Sequence, residues 1–419
     1  MSDGTLVVGA GQAGLNVALT LRRSGYHDPI TLVGEEPWLP YQRPPLSKGF
    51  LLGEVAEDKL ALARPEVFRD GDVELVTGDA VVTVTRPEDR SAGIAKTRSG
   101  RTIRYSRLVL TVGGTPTRLP IEGSDLDGVF YLRTIDDSRA IRAALADGPR
   151  RVVVVGGGFV GLEVAASARR LGHCVSVVEA DQRLLARSVA PMVSEALLAA
   201  HRRRGTDVYL TAPAGRFAGQ GGVVTTVQLA DGRCLPADVV IVGVGLTPRL
   251  ELAHQLGLAC DRGILVDESG RTSRPFVWAA GDCAQFPDPL TGAGSVRLES
   301  VQNAIDQGRA VGTDVADKGG VYSAVPWFWS DQDTLKLQIA GLADDFDEHL
   351  LFGNLDEERF SVVYFRRQDL VAIHAVNRPK DYLAVRRALA QRIPVSRQAF
   401  ANPEVALTEV IDRAMAEHR

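Results

Sequence analysis

A short apolar run followed by spaced glycines marks the middle of the chain. Residues 152–155 are four consecutive valines, which predicts a buried strand of a parallel sheet because such strands are covered on both faces. A helix is predicted after the glycines, and Gly172 ends it. Residues 175–178 then predict a second strand, with Glu179 at its end. The pattern is that of one βαβ unit.

The glycines of this unit have the spacing G-x-G-x-x-G, at Gly156, Gly158 and Gly161. The first permits a tight turn, the second lets the backbone approach a pyrophosphate, and the third lets the helix pack closely on the strand. The free N–H groups and the positive dipole end of the helix favour an anion there. A carboxylate such as Glu179 accepts the two ribose hydroxyls of an adenosine and repels a 2′-phosphate.

The same pattern occurs near the N-terminus, where residues 6–26 align without a gap on 153–173. The matching residues are Gly9, Gly11 and Gly14 in the motif, 30–33 in the second strand, and Glu35 at its end. One G-x-G-x-x-G is a weak signal, but two copies in the same context are strong. The sequence therefore predicts that the chain binds two nucleotides.

The rest of the chain alternates between strands and a few helices. Pro44 and Pro45 suit the first turn of a helix, with Lys48 one turn in. Alternation over 73–84 and 94–110 predicts a small antiparallel layer. Further strands are predicted at 108–114, 223–229, 238–243 and 276–282, and a helix from Ser300, a good N-cap. From about 326 the predicted elements are antiparallel strands at 335–342, 349–353, 360–366 and 370–377 and a helix at 381–391.

Length and composition set the frame for these elements. At 419 residues the chain is expected to form roughly three domains. A net charge of −4 gives no sign of nucleic-acid or membrane binding. No apolar run approaches membrane-spanning length, and the first strand begins by Thr5, leaving no room for a signal peptide. The chain is expected to be cytoplasmic.

Cysteine spacing excludes several chemistries. Cys174, Cys234, Cys260 and Cys283 are far apart. No C-x-x-C or C-x₄-C pair occurs, which argues against a dithiol relay and against a zinc or iron–sulfur centre. We expect four small buried hydrophobic residues and no metal site.

Long motifs in a fixed order give the chain a resemblance to a known family. They are YQRPPLSK at 41–48, YLRT at 131–134, GGGFVGLEVAA at 156–166, GDCA at 281–284, ESVQNA at 299–304 and PWFWSDQ at 326–332. The chain resembles the FAD-dependent, NADH-using ferredoxin reductases of bacterial monooxygenase and dioxygenase systems, of the putidaredoxin reductase and rhodocoxin reductase type. The resemblance implies an α/β fold with two Rossmann-like nucleotide-binding domains, similar to glutathione reductase, and a C-terminal α+β domain.

The resemblance also implies the order of the domains and the FAD contacts. FAD binds a discontinuous domain, 1–114 plus 245–325, with NADH bound by 115–244 and the α+β domain at 326–419. The implied FAD residues are Gly9, Gly11, Ala13, Gly14, Glu35, Arg43, Lys48, Val81, Thr111, Gly113, Arg133, Asp282, Val301 and Trp329. Val112 departs from the family, which usually has threonine there.

For NADH, the resemblance implies contacts in and after the second glycine motif. The implied residues are Gly156, Gly158, Phe159, Val160, Gly161, Glu163, Glu179, Arg187 and Gly245. Lys48 and Glu163 are expected to pair beside flavin N5 and act as the catalytic residues, where they fix the nicotinamide against the ring. Glu179 should favour NADH over NADPH.

The function implied is transfer of hydride from NADH to FAD and of single electrons to a two-iron ferredoxin that feeds a haem monooxygenase. Arg64 and Arg309 are the candidate basic residues for docking an acidic ferredoxin. The residues leave other acceptors open: a rubredoxin, the ferredoxin of a ring-hydroxylating dioxygenase, a quinone or oxygen. A redox-sensing flavoprotein resembling apoptosis-inducing factor is an alternative of another class, and a flavin monooxygenase is a weaker one.

Overall fold

The computed structural model describes residues 3–86, 92–292, 294–402 and 405–418. The α-helices are α1 (Gln12–Arg23), α2 (Pro65–Asp70), α3 (Ile135–Ala144), α4 (Phe159–Arg170), α5 (Pro191–Arg203), α6 (Glu251–Gln255), α7 (Val301–Val315), α8 (Pro379–Ala390) and α9 (Leu407–Glu417). Short 3₁₀ turns occur at Pro44–Ser47, Glu57–Lys59 and Arg397–Phe400. None of the described helices is long and apolar enough to cross a membrane.

The strands of the first half are β1 (Thr5–Val8), β2 (Ile30–Val33), β3 (Val73–Val76), β4 (Val81–Thr85), β5 (Gly93–Thr97), β6 (Thr102–Tyr105), β7 (Arg107–Leu110), β8 (Gly114–Pro116), β9 (Val129–Tyr131), β10 (Arg151–Val155), β11 (Cys174–Val178) and β12 (Thr206–Tyr209). Those of the second half are β13 (Ala214–Gln220), β14 (Val223–Leu229), β15 (Cys234–Pro236), β16 (Val239–Val242), β17 (Leu246–Pro248), β18 (Ile264–Leu265), β19 (Val277–Ala279), β20 (Ala284–Pro287), β21 (Ser295–Val296), β22 (Trp327–Gln332), β23 (Leu335–Gly341), β24 (Glu348–Asn354), β25 (Arg359–Arg366) and β26 (Asp369–Val376).

The chain divides into two compact units. Unit 1 comprises Met1–Gln42, Glu57–Thr115 and Thr247–Pro326, and unit 2 comprises Arg43–Ala56, Pro116–Leu246 and Trp327–Arg419. The short segment around Lys48 thus belongs with the second glycine motif. The finer division of unit 2 into an NADH-binding domain and a C-terminal domain stays a prediction.

Unit 1 is built on a five-stranded parallel sheet in the order β19-β7-β1-β2-β3. Helices α1 and α7 lie against each other, and Gly308 and Gly312 permit this close approach. A Cβ atom at Gly308 would lie 2.7 Å from the carbonyl oxygen of Ala13, and one at Gly312 would lie 2.8 Å from that of Val17. The start of α7 is thereby fixed relative to the first glycine motif.

The antiparallel layer of unit 1 is smaller than the alternation predicts. It contains β4, β5 and β6, whereas β3 and β7 are strands of the parallel sheet. The prediction over 73–84 and 94–110 was therefore wrong at its two ends. The alternating pattern did not identify the sheet to which these ends belong. Val73 and Leu108 are buried, and their strands pair with β2 and β1, which are remote in sequence.

Unit 2 combines a second parallel sheet with two antiparallel sheets. The parallel sheet has the order β12-β11-β10-β16-β9, and β13, β14 and β15 form a three-stranded antiparallel sheet. The C-terminal sheet has the order β22-β23-β26-β25-β24. One of its faces is covered by α8 and α9. The other face shares a core with α4 and α5, where Leu335 and Tyr364 pack in the same cluster as Leu162. Strand β22 and helix α9 were not predicted from the sequence.

Candidate functional site

The glycine motif of unit 1 forms an open backbone turn between β1 and α1. Gly9 has a φ of +112°, and a Cβ atom there would lie 2.2 Å from the carbonyl oxygen of Thr111. A Cβ atom at Gly14 would lie 2.0 Å from the carbonyl oxygen of Gly9, whereas one at Gly11 would meet nothing within 4 Å. Two glycines are therefore required by packing, and Gly11 leaves space beside the helix start, as a bound pyrophosphate needs.

The motif of unit 2 repeats this geometry between β10 and α4. Gly156 has a φ of +108°, and its Cβ atom would lie 2.4 Å from the carbonyl oxygen of Gly243. A Cβ atom at Gly161 would lie 2.1 Å from the carbonyl oxygen of Gly156, but the nearest atom to one at Gly158 is 4.0 Å away. Gly11 and Gly158 are the N-caps of α1 and α4, and neither has a side chain to cap the free N–H groups. Both cradles fit a nucleotide pyrophosphate.

The acidic residues after the two second strands have different partners. Glu179 accepts hydrogen bonds from the backbone N–H of Gly157, at 2.6 Å, and of Asp181, at 2.8 Å. Glu35 instead forms ion pairs with Arg98, at 3.0 Å, and with Arg249. Burial acts to raise the pKa of Glu35, but the hydrogen bonds from Arg249 and Arg98 outweigh burial, and the pKa is lowered. The negative charge of Glu35 is therefore balanced by two arginines. The carboxylate of Glu179 is instead hydrogen-bonded to backbone N–H groups.

Thr111 supports the first glycine turn from the neighbouring strand end. Its hydroxyl oxygen lies 2.8 Å from the carbonyl oxygen of Gly9 and 3.0 Å from that of Val8, and the residue is 6% exposed. The family's threonine one residue later is replaced by Val112. The Thr111 hydroxyl therefore binds backbone carbonyl oxygens of the first glycine turn.

The other predicted FAD residues occupy strand ends and helix starts. In unit 1, Val81 begins β4, Asp282 follows β19, Gly113 precedes β8, Ala13 lies in the first turn of α1, and Val301 begins α7. The N-cap of α7 is Ser300, as predicted, because its hydroxyl accepts the Asn303 N–H at 3.1 Å. Arg43, Lys48, Arg133 and Trp329 lie in unit 2, where Arg43 donates to the carbonyl oxygen of Arg133 at 2.6 Å. Their contacts with FAD stay predictions.

The predicted NADH residues lie together at the start of α4 and around it. Phe159 and Val160 are the first residues of the helix, and Val160 is exposed. Arg187 is exposed, and its guanidinium lies 3.8 Å from the Cβ position of Gly245, whose φ is +115°. Phe159 and Val160 directly follow Gly158 of the second cradle, and the contacts of all four residues with NADH stay predictions.

Lys48 and Glu163 form a largely buried ion pair in unit 2. Lys48 Nζ lies 2.7 Å from Glu163 Oε2, and the two side chains are 18% and 6% exposed. The sequence placed Lys48 one turn into a helix. The structure instead has a single 3₁₀ turn, Pro44–Ser47, with Lys48 at its C-cap. The predicted pairing of the two residues is confirmed by this geometry, and their contact with a flavin stays a prediction.

Two serines that were not predicted as site residues donate hydrogen bonds to the Glu163 carboxylate. Ser47 donates to Glu163 Oε2 at 2.5 Å, and Ser330 donates to Oε1 at 2.7 Å. Ser167, one turn after Glu163 on α4, donates to the carbonyl oxygen of Ser47 at 2.8 Å and fixes the 3₁₀ turn. With Lys48, the Glu163 carboxylate therefore accepts three hydrogen bonds, two at Oε2 from Lys48 and Ser47 and one at Oε1 from Ser330.

The cysteines are unpaired, but they are not all buried. Cys174 and Cys234 are exposed, Cys260 is half-buried and Cys283 is buried, so the expectation of four buried residues was wrong. Cys174 and Cys234 stand at the first positions of β11 and β15, at strand ends. Burial raises the pKa of Cys283 to about 11, which leaves it a thiol at neutral pH.

Comparisons with known proteins agree with the two-nucleotide geometry. Residues 4–308 match the model of the pyridine nucleotide-disulphide oxidoreductases, and residues 327–411 match the reductase C-terminal model. Rhodocoxin reductase of Rhodococcus erythropolis is 39% identical over 99% of this chain and 96% of its own. Putidaredoxin reductase of Pseudomonas putida is 38% identical over 99% and 98%. The crystal structure of the covalent putidaredoxin reductase–putidaredoxin complex is similar with a TM-score of 0.93, at 37% identity over 99% of both chains.

Proposed function

Since this chain belongs to the pyridine nucleotide-disulphide oxidoreductase family, we propose that it is an NADH-dependent ferredoxin reductase. The observation that carries this function is the pair of equivalent glycine cradles in one chain, followed by a reductase C-terminal module. Two cradles allow two dinucleotides to be held at once, as hydride transfer between them requires. The cofactors are FAD and NADH, and the electrons pass to a two-iron ferredoxin that serves a haem monooxygenase.

When bound, FAD accepts a hydride from NADH and releases the two electrons singly. The chain itself binds and orients. The cradle of Gly9, Gly11 and Gly14 would hold the FAD pyrophosphate, and Glu35 its adenosine ribose. The cradle of Gly156, Gly158 and Gly161 would hold the NADH pyrophosphate, and Glu179 its adenosine ribose.

We assign the Lys48–Glu163 pair to orienting the nicotinamide of NADH. Glu163 lies one turn into α4, whose N-terminus begins at the second cradle. The pair is largely buried, so it presents fixed charges of opposite sign and little net charge, and its geometry does not depend on mobile water.

We propose a one-electron protein as the acceptor, and the cysteines argue against a dithiol relay to a disulphide. The four cysteines are free, and Cys283 is held as a thiol. No cysteine occurs in residues 41–48, next to the Lys48–Glu163 pair. A dithiol relay needs two neighbouring cysteines, and the chain has none so spaced.

Ferredoxin docking is assigned to exposed basic side chains of unit 1. Arg64 is exposed and precedes α2. Arg309 lies on α7, with its side chain 55% exposed and paired at 3.4 Å with Asp306 of the same helix. Guanidinium groups of this kind raise the association rate with an acidic partner. We also infer that the protein works in the cytoplasm, where NADH is regenerated.

The test is anaerobic stopped-flow mixing of the holoprotein with NADH, followed by mixing with purified ferredoxin, rubredoxin, a quinone or oxygen. Rapid flavin reduction by NADH and fast onward reduction of ferredoxin are expected. Faster reduction of rubredoxin or quinone would change the acceptor. Persistent reduced flavin with negligible transfer to any acceptor would instead support a redox-sensing role.

A further inference from the structure

Buried polar side chains of the C-terminal module of unit 2, which begins at strand β22, form a hydrogen-bonded line that reaches Glu163. Alternate residues of a strand point to the same face, and on β22 these are Phe328, Ser330 and Gln332. Ser330 and Gln332 are 0% and 1% exposed. The ring centroid of Phe328 lies 4.4 Å from that of Phe159, which begins α4. This face of β22 therefore packs on the helix that carries Glu163.

The polar groups form one continuous hydrogen-bonded line. Ser330 Oγ lies 2.7 Å from Glu163 Oε1, Gln332 Nε2 lies 3.2 Å from Ser330 Oγ, and Gln332 Oε1 lies 2.8 Å from His201 Nε2. His201 is on α5 and is 1% exposed. Three elements of unit 2 thus contribute to a chain that ends on one carboxylate.

The donors in this line all point the same way. Carboxylate oxygens accept, and the single hydroxyl hydrogen of Ser330 goes to Glu163 Oε1. Ser330 must then accept from the amide of Gln332, whose oxygen is left to accept the Nε2–H of His201. Burial lowers the pKa of His201, so its ring is neutral and this bond fixes one tautomer.

We propose that Ser330 and Gln332 are positioning residues of the proposed NADH reaction: with His201 as the anchor, they hold the Glu163 carboxylate in the orientation that pairs it with Lys48. Each end of the carboxylate is then fixed by a different element, Oε2 by the 3₁₀ turn and Oε1 by β22. Ser330 and Gln332 of the C-terminal module would thereby contribute to hydride transfer through Glu163 and not by contact with a cofactor.

The chain contains a matched control for removal of the Ser330 hydroxyl. Ser361 lies on β25 of the same sheet, is also 0% exposed, and donates to a carboxylate, that of Asp381, at 2.9 Å. Ser330→Ala and Ser361→Ala therefore remove the same group from the same kind of site. Only the first change affects Glu163.

The experiment measures three quantities in the holoproteins: the limiting rate of flavin reduction at saturating NADH, the Kd for NAD⁺ by calorimetry, and the midpoint of thermal unfolding. Loss of one hydrogen bond to a charged group predicts a limiting rate about tenfold lower in Ser330→Ala. We expect a Kd within about twofold of the unmodified protein, because the cradle is intact, and a thermal midpoint similar to that of Ser361→Ala. Ser361→Ala should keep the original rate.

A double variant tests whether the line acts as one unit. Gln332→Leu should also slow reduction, and Ser330→Ala with Gln332→Leu should be no slower than Ser330→Ala alone, because serial members of one network are not additive. In protein labelled with ¹⁵N-histidine, His201 should show the Nε2–H tautomer, and Gln332→Leu should abolish that preference.

The proposal rests on the proposed function, and the two fail differently. If NADH does not reduce the flavin of the unmodified protein, the proposed function fails and the positioning role falls with it. If the unmodified protein is reduced but Ser330→Ala matches Ser361→Ala in rate, only the positioning role is overturned. Equal loss of rate and of NAD⁺ affinity would overturn it too, since that result indicates damage to the cradle.

Discussion

Replacing Glu179 by glutamine should weaken the discrimination between NADH and NADPH. The carboxylate is half-buried and is held by the N–H groups of Gly157 and Asp181. A carboxamide has the same shape, but it has no charge and can accept from only one of these donors through its oxygen. Glu179→Gln should therefore lower kcat/KM with NADH and raise it with NADPH.

The size of the change follows from charge and hydrogen bonding. Two unit charges 4 Å apart interact by about 1 kcal/mol in water and about 4 kcal/mol near a protein surface of low effective dielectric. A half-buried carboxylate lies between these limits, so removing its repulsion of a 2′-phosphate is worth about 2 kcal/mol. Loss of charge-assisted acceptance from the ribose hydroxyls adds about 1 kcal/mol. Together these shift the NADH-to-NADPH ratio of kcat/KM by roughly 100-fold.

The assay is steady-state reduction of ferricyanide or ferredoxin, with each coenzyme varied separately. Asp181→Asn is the control, because it removes a nearby exposed negative charge while the Asp181 N–H still donates to Glu179. Glu35→Gln is the second control and should leave the coenzyme ratio unchanged. A ratio unaltered in Glu179→Gln, or altered equally in Asp181→Asn, would refute the assigned role.

Three further changes test other parts of the molecule. Gly11→Ala fills open space, so the variant should fold with normal secondary structure but lose FAD on dialysis. Gly14→Ala places a Cβ atom 2.0 Å from a carbonyl oxygen and should lower the yield of folded protein. Flavin content and circular dichroism after gel filtration distinguish the two outcomes. Arg309→Glu should slow ferredoxin reduction at low salt and much less at high salt. Arg413→Glu, an exposed arginine in a similar helical pair, should not, and equal rates for the two would contradict the docking assignment. Hydrogen bonds from Arg204 lower the pKa of Glu358 to about 2. The ionised Glu358 therefore stabilises the folded state fully above the ordinary carboxyl pKa, and this stabilisation disappears as the pH falls from about 4.5 to 2. Glu358→Gln should then lower the thermal midpoint at pH 7 but not near pH 2; an equal decrease at both would be inconsistent with this charge pair.

The two cradles could be predicted from the sequence because glycine geometry is local. Gly9 and Gly156 need positive φ, and Gly14 and Gly161 need the absence of a Cβ atom. Both requirements are satisfied within a few residues along the chain, so the glycine spacing, repeated between a predicted strand and a predicted helix, could reveal them.

The surroundings of Glu163 could be predicted only in part. Its pairing with Lys48 came from the resemblance, since the two residues are 115 positions apart. Ser330 lies in a motif that the sequence analysis quoted, but alternation along an unrecognised strand hid the face to which it points. Its role depends on the packing of β22 against α4, a long-range contact that no local pattern encodes.

If FAD binds the first cradle and NADH the second, as proposed, one motif serves two different ligands. Glu35 is offset by the positive charges of Arg98 and Arg249, so it exerts little repulsion on a phosphate. Among the residues that the structure describes, no lysine or arginine forms an ion pair with Glu179, and its donors are uncharged backbone N–H groups. FAD has no 2′-phosphorylated counterpart that must be rejected, whereas NADH competes with NADPH. Under the proposed assignment, a carboxylate without a basic partner is useful only at the second cradle, which is where Glu179 lies.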